Sequence, residues 1–165
     1  FRSNTPFVSL SFELEHVRNY IRIQQLRFPE KITLEIDCPD FLENFIIPPL
    51  MIHTFVENSI RHALKPDKTM IISIDVGLAN QENVQIVIKD TGNGFDSSVL
   101  KKLKAGSPII DSRGNHIGID NVQRRLGLLY KDNCSLTFDN VPLGGAMVKI
   151  IIPLDQSNLN EEGLF

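Results

Sequence analysis

The stretch Phe55-Val56-Glu57-Asn58-Ser59-Ile60-Arg61-His62-Ala63-Leu64-Lys65 threads polar groups through an apolar helical repeat. Asn58, Arg61, His62 and Lys65 stand at i, i+3, i+4 and i+7, so a helix aligns one amide and three potential cations along a single stripe. Such a stripe can grip a polyphosphate. It also reads, more plainly, as the solvated side of a surface helix. Upstream, Pro48 and Pro49 stand where a helix begins, because a first-turn proline lacks only an amide that has no intrahelical partner anyway. The spacing predicts a helix from about Pro49 to Leu64.

Downstream, Met70 to Val76 and Val84 to Lys89 read as strands, joined by the polar loop Gly77 to Asn83 into an antiparallel hairpin. The second strand runs into Asp90-Thr91-Gly92-Asn93-Gly94-Phe95. Its alternate glycines permit positive φ and let another molecule approach the backbone, while Asp90 at the strand end can accept from an exocyclic amine. The same residues also form an ordinary turn. Further on, Gly114-Asn115-His116-Ile117-Gly118-Ile119-Asp120-Asn121-Val122 opens a helix, and amides at a helix N-terminus form a seat for phosphate oxygens or simply a cap. It is neither a Walker A loop nor a dinucleotide fingerprint.

From Ser9 to Phe28, Leu10, Leu14, Val17 and Ile21 recur at helical spacing, with Glu13, Glu15, Arg18, Arg22 and Arg27 expected on the surface and Pro29 closing the helix. Lys31 to Asp37 alternates as a half-buried strand. Asp96 to Lys104 reads as a short helix and Ala105 to His116 as a mobile loop. A helix from about Gly118 to Tyr130 then presents Ile119, Val122, Leu126 and Leu129. Strands at Ser135 to Phe138 and Ala146 to Ile152 flank a turn carrying Gly144 and Gly145. Strands and helices without strict βαβ alternation imply an α+β two-layer sandwich, its mixed, mostly antiparallel sheet covered on one face by helices.

The chain's 165 residues, 42% hydrophobic and 22% charged, suit one soluble domain. A net charge of −3 offers no basic face for a nucleic-acid backbone, so nucleic acid is not an expected partner. Cys38 and Cys134 have neither Cys-x-x-Cys spacing nor a metal-ligand cluster around them and read as buried thiols of a cytosolic protein. No stretch has the length of a membrane span or a signal-peptide pattern. The opening Phe1-Arg2-Ser3-Asn4, without an initiator methionine, leads us to expect a fragment of a longer parent with membrane spans upstream.

An Asn-bearing helix, Asp-x-Gly-x-Gly after a strand, a glycine-containing helix start and a Gly-Gly turn before the last strand occur here in one order. That order resembles the N, G1 and G2 boxes of the GHKL ATPase superfamily. Pro49-Leu50 through Val56-Glu57-Asn58-Ser59-Ile60 to His62 is similar to the sensor histidine kinases of the LytS and YesM branch. So is Leu10-Ser11-Phe12-Glu13-Leu14-Glu15 running to Tyr20-Ile21 and Arg27-Phe28, a segment that follows the phosphoacceptor helix in that branch. The resemblance covers Val8 to Leu154.

The resemblance implies the Bergerat ATP-binding fold, with ATP and Mg²⁺ as ligands. It divides the chain into a helical segment at 1–28 that follows a missing phosphoacceptor helix, an ATP-binding catalytic domain at 29–154, and a polar, disordered tail at 155–165. Asn58 would coordinate Mg²⁺, and Arg61, His62 and Lys65 would approach the phosphates. Asp90 would accept from the adenine amine, Gly92 and Gly94 would shape the base pocket, and Gly118 and Asn121 would stand at the lid end. Glu57 is a candidate general base, although helix geometry turns it about 100° from Asn58. His116 stands where the family often has the first glycine of Gly-x-Gly.

The implied activity is transfer of the ATP γ-phosphate to a histidine outside this chain, for relay to a response regulator. None of His16, His53, His62 and His116 has a phosphoacceptor setting, and His16 is expected at the surface. The implied partners are the histidine-bearing dimerisation helix of the same, homodimeric parent and the response regulator. The implied location is the cytoplasmic side of a membrane-anchored bacterial protein. Two alternatives share the fold: an anti-sigma-type serine kinase, and a nucleotide-binding module that regulates without phosphoryl transfer.

Overall fold

Alternation builds the sheet. In β4 (Met70–Leu78), Met70, Ile72, Ile74 and Val76 are buried while Ile71 and Asp75 are exposed. β5 (Asn83–Asp90) buries Val84, Ile86 and Ile88 on the same parity, and β7 (Ala146–Pro153) buries Val148, Ile150 and Ile152. The register sets Ile74 opposite Ile88, Ile88 opposite Val148 and Ile86 opposite Ile150, so these side chains form one apolar face. β2 (Ile32–Asp37) pairs parallel to β4, β6 (Ser135–Asn140) closes the far edge, and the order is β2-β4-β5-β7-β6. The parallel pair needs a crossover, and a helix supplies it. The computed structural model describes residues 7–106, 117–157 and 159.

Three helices join this apolar face in one core: α1 (Leu10–Arg27), α2 (Met51–Ala63) and α4 (Ile117–Tyr130), while α3 (Ser97–Lys104) lies against β6. α2 touches α1, α4 and β5, and so is the central helix of the layer. The two-layer α+β sandwich expected from the sequence is the observed fold. A second, small sheet pairs β1 (Val8–Ser9) with β3 (Ile46–Ile47). Two residues are too few to leave a period in the sequence, so this pairing was not legible there.

The way α2 starts departs from expectation. It begins at Met51 rather than Pro49, after Leu50 in the left-handed region at φ 65°, and no side chain of its own caps it. The cap comes from α1. Glu13, expected on the surface, is 1% exposed: its Oε1 accepts from the Leu50 amide at 2.9 Å, and its Oε2 accepts from Ile52 at 3.0 Å and His53 at 3.1 Å. A carboxylate there satisfies the first-turn amides and meets the positive end of the helix dipole. Arg125 of α4 holds the same turn by donating to the Pro49 carbonyl at 3.1 Å.

At its other end α2 stops at Ala63, with Leu64 extended at ψ 126°. Pro66 follows Lys65 and disfavours helical backbone before it, so Lys65 is off the helix and drops out of the expected polar stripe. α1 begins with Ser9 accepting from the Phe12 amide at 3.1 Å, close to expectation. Ala105 and Gly106 close α3 through bonds to Lys101 and Leu103, while the rest of the segment expected as a mobile loop, 107–116, lies outside the described residues. Of the expected tail, 155–157 and 159 are described, and the Gln156 amide donates to the Ile46 carbonyl at 2.9 Å. Cys38 and Cys134 are free thiols, half-buried rather than fully buried. Among the described residues no helix is long and apolar enough to cross a membrane.

Replacing Glu13 by Ala leaves three amides without their acceptor and removes the anion from the dipole, a loss of about 2–4 kcal/mol. For a domain of this size that lowers Tm by roughly 5–15 °C. Glu15→Ala, on the exposed face of the same helix where Glu15 pairs with Arg18 and Arg22, leaves Tm within about 2 °C. Thermal unfolding of the two variants followed by circular dichroism measures both.

Candidate functional site

The inward parity of β5 ends on Asp90, which carries a carboxylate, 5% exposed, under α2. A buried carboxylate needs donors, and three surround it. Oδ1 accepts from the Gly92 amide at 2.9 Å and the Ala146 amide at 3.3 Å, and Oδ2 accepts from the Ser59 hydroxyl at 2.8 Å. Thr91, on the opposite parity, fastens the strand end to β4: its amide donates to the Ile71 carbonyl and its hydroxyl accepts from the Ile71 amide.

The turn after Asp90 packs directly on the end of α2. A Cβ at Gly92 would overlap the Cβ and carbonyl oxygen of Ala63, so no larger residue fits there without displacing the helix. Gly94 has φ +79°, the left-handed region, and its Cα faces Asn140 closely. Asn140 then clamps the following residue, accepting from the Phe95 amide at 2.7 Å and donating to its carbonyl at 3.0 Å. The Phe95 ring meets Phe138 edge-on at 6.0 Å, which ties the turn to the core.

Between this turn and α2 lies a cleft of ≈ 170 Å³. Asn58, Ser59, His62 and Ala63 form its helix wall, Asp90 and Asn93 through Asp96 its loop wall, and Val99 and Ala146 complete it. Apolar sides from Ala63, Phe95 and Val99 around one buried acceptor suit a flat ring that carries an amine. The structure thus gathers Asn58, His62, Asp90 and Gly94 around one space, with Gly92 packed behind it.

The other residues singled out in the sequence stand elsewhere. Glu57 and Arg61 occupy the next stripe of α2, where Glu57 accepts from Arg61 at 3.0 Å and lies 3.2 Å from His53 Nε2. His53 in turn meets the rings of His16 and Tyr20 on α1, each at 4.7 Å. His16 is exposed, as expected. Burial, reinforced by the neighbouring His16, pulls the His53 pKa below its ordinary value, against the opposing pull of Glu57. Lys65 lies past the helix end. Gly118 on α4 approaches Thr54, one turn before Asn58 on α2, and neither Gly118 nor Thr54 is among the residues that line the cleft. Asn121 is exposed and accepts from Arg124 at 3.2 Å.

Ser59, Asn140 and Phe95 are the residues that sequence reasoning missed. Ser59 had a signal: it follows Asn58 and lies one turn before Ala63, on the stripe that faces the sheet. Asn140 had none, because only the β6–β7 hairpin brings it to Gly94. A larger hollow of ≈ 840 Å³ opens at the other end of β5, beside Glu82, Asn83, Asp132 and Asp155, and contains none of the residues that the motifs pointed to.

The profile of the family described as histidine kinase-, DNA gyrase B-, and HSP90-like ATPase matches residues 49–156, which hold α2, the whole Asp90 turn and α4. The sensor protein LytS of Oceanobacillus iheyensis is 36% identical over 153 residues, 92% of this chain and 26% of that protein. LytS of Bacillus subtilis is 31% identical over 168 residues, 98% of this chain and 28% of its own length. The sensor histidine kinase YpdA of Escherichia coli is 36% identical over 124 residues, 74% of this chain and 21% of YpdA. The chain therefore spans about a quarter of the length of these relatives. Among solved structures, the catalytic domain of the histidine kinase ThkA superposes with a TM-score of 0.60 at 14% identity, covering 89% of this chain and 93% of that one. The histidine kinase domain of the blue-light activated kinase EL346 of Erythrobacter litoralis gives 0.61 at 16%, covering 99% and 68%. With a match that takes in α2, the Asp90 turn and both strands beyond it, the chain belongs to the histidine kinase-, DNA gyrase B- and HSP90-like ATPase family.

Proposed function

We propose that this chain is the ATP-binding catalytic domain of a two-component sensor histidine kinase, delivering the γ-phosphoryl group to a histidine on another segment of its parent. The observation that carries the reading is the buried Asp90 carboxylate, held by two backbone amides and Ser59 at the wall of a small, partly apolar cleft. In this reading Asp90 accepts from the adenine amine, Phe95 and Val99 flank the ring, and His62 meets the phosphates along the helix wall. The α4 start, with Gly118 and Asn121, borders the phosphate end.

Asn58 fits a Mg²⁺ ion. Its amide oxygen is a hard donor on the cleft wall, and Mg²⁺ commonly takes one or two protein oxygens plus substrate phosphates. Among the described residues no cluster of three or more His, Cys, Asp or Glu offers another metal seat. When bound, the ion neutralises phosphate charge. The protein's own share is positioning: the cleft fixes the base, and the α2 wall aligns the polyphosphate with an incoming nucleophile. Glu57 has its oxygens engaged by His53 and Arg61 on the neighbouring stripe, so in this reading it orients Arg61 rather than taking a proton. The parent is proposed to be a homodimer anchored in the membrane, with this domain on its cytoplasmic side and a response regulator as the final acceptor.

Calorimetry tests the nucleotide. ATP and ADP bind, and chelating Mg²⁺ with EDTA weakens ATP more than ADP. Asp90→Ala removes a charge-assisted hydrogen bond, about 1.5–3 kcal/mol, and weakens both nucleotides roughly ten- to a hundredfold. A folded sample that takes up neither nucleotide contradicts the reading.

Phosphoryl transfer is tested with a separately supplied histidine-bearing helix. Acid-labile label accumulates slowly on that helix, because untethered molecules lack the mM effective concentration of a linked pair. Asn58→Ala abolishes the label. Acid-stable label on an added serine substrate instead identifies a serine kinase on the same fold.

A further inference from the structure

We propose that Ser59 is a positioning residue that sets the base preference of the cleft, by holding the Asp90 carboxylate so that one free lone pair of Oδ2 faces the edge of an incoming purine. The inference rests on the nucleotide reading of the cleft and assigns a role that the motif residues leave open. Each carboxylate oxygen has about two acceptor directions. On Oδ1 both are taken, by the Gly92 and Ala146 amides. Oδ2 accepts only from Ser59, at 2.8 Å, among the described residues, so it is the oxygen with capacity left for a ligand.

Ser59 and Asp90 both line the cleft, and both are buried, at 7% and 5% exposure. The final torsion of an aspartate is soft, and because the carboxylate is planar one value of it places both oxygens. The two amides on Oδ1 hold that torsion from the sheet side, the Ala146 contact being long at 3.3 Å, and the Ser59 hydroxyl holds it from the α2 side while occupying one of the two acceptor directions of Oδ2. An oxygen held with its lone pair forward attracts the 6-amino group of adenine and sets acceptor against acceptor when the purine carries a 6-oxo group, so the same contact admits one base and rejects the other. Ser59 also sits next to Asn58 on α2, which makes one turn of helix responsible for both ends of the nucleotide.

The test compares ATP with inosine triphosphate, which carries a 6-oxo group without the extra 2-amino group of guanine. Binding to the whole chain is measured by calorimetry for the wild type, Ser59→Ala, Ser59→Cys and Ser59→Thr. The wild type prefers ATP by about tenfold or more. Ser59→Ala weakens ATP by roughly three- to tenfold while leaving inosine triphosphate unchanged or tighter, so the preference contracts. Ser59→Cys, similar in volume with a weaker donor, contracts it likewise and stands in should the Ala variant lose its fold. Ser59→Thr, which keeps the hydroxyl, restores the ratio. An ATP preference unchanged in Ser59→Ala or Ser59→Cys, whatever happens to Tm, overturns the role of Ser59 alone. A folded wild type that binds no adenine nucleotide overturns the nucleotide reading and the Ser59 assignment with it.

Discussion

Three backbone amides at the start of α2 converge on one carboxylate, that of Glu13, and the geometry of the cleft depends on this contact. α2 has no cap of its own and is preceded by a left-handed Leu50, so alone it is a poorly started helix. Its neighbours start it: Glu13 meets the amides and the dipole, and Arg125 holds the Pro49 carbonyl. Because α2 carries Asn58, Ser59 and His62, the position of α1 fixes one wall of the site. α1 is accordingly part of the same core as α2 and the sheet that wall the cleft, through Leu10, Leu14, Val17 and Ile21, although it lies outside the segment matched by the family profile.

The opposite wall follows from strand parity. The inward positions of β5 run Val84, Ile86, Ile88 and then Asp90, so the rule that buries branched apolar side chains also buries a carboxylate at the strand end. Burying a charge is costly unless it is met by donors, and the turn that follows supplies them. The Gly92 amide folds back onto Asp90, the Ala146 amide arrives from β7, and the absence of a side chain at Gly92 lets the turn press against Ala63. Sheet, turn and helix end thus leave a narrow space with the Asp90 carboxylate in its wall.

These demands are few, which explains how the fold persists at 14% to 16% identity to the solved histidine kinase domains. A two-layer sandwich asks for apolar alternation along five strands and an apolar stripe on each helix, and many residue choices meet both. Only positions such as Asp90 and Gly92 are pinned to one residue type, by hydrogen bonding and by close approach.

The amino-acid sequence by itself determined the elements and their order, because period-two and period-3.6 patterns are local: the even positions of β4, β5 and β7 and the Leu10, Leu14, Val17, Ile21 stripe carry their own evidence of burial. It also pointed to four residues that the fold brings to one cleft, Asn58, His62, Asp90 and Gly94, because each sits in a local motif whose spacing can be read along the chain. What contact between distant segments decides was hidden. A glutamate on an amphipathic helix looks solvated until the α2 amides are placed against it; Asn140 joins Gly94 and Phe95 only through the β6–β7 hairpin; and Arg61 turns to Glu57 because i, i+4 pairing on a helix competes with the cleft. Ser59 lies between the two cases: its neighbours in sequence pointed to the site, but only the packing of α2 over the end of β5 brought its hydroxyl to Asp90, 31 residues away along the chain.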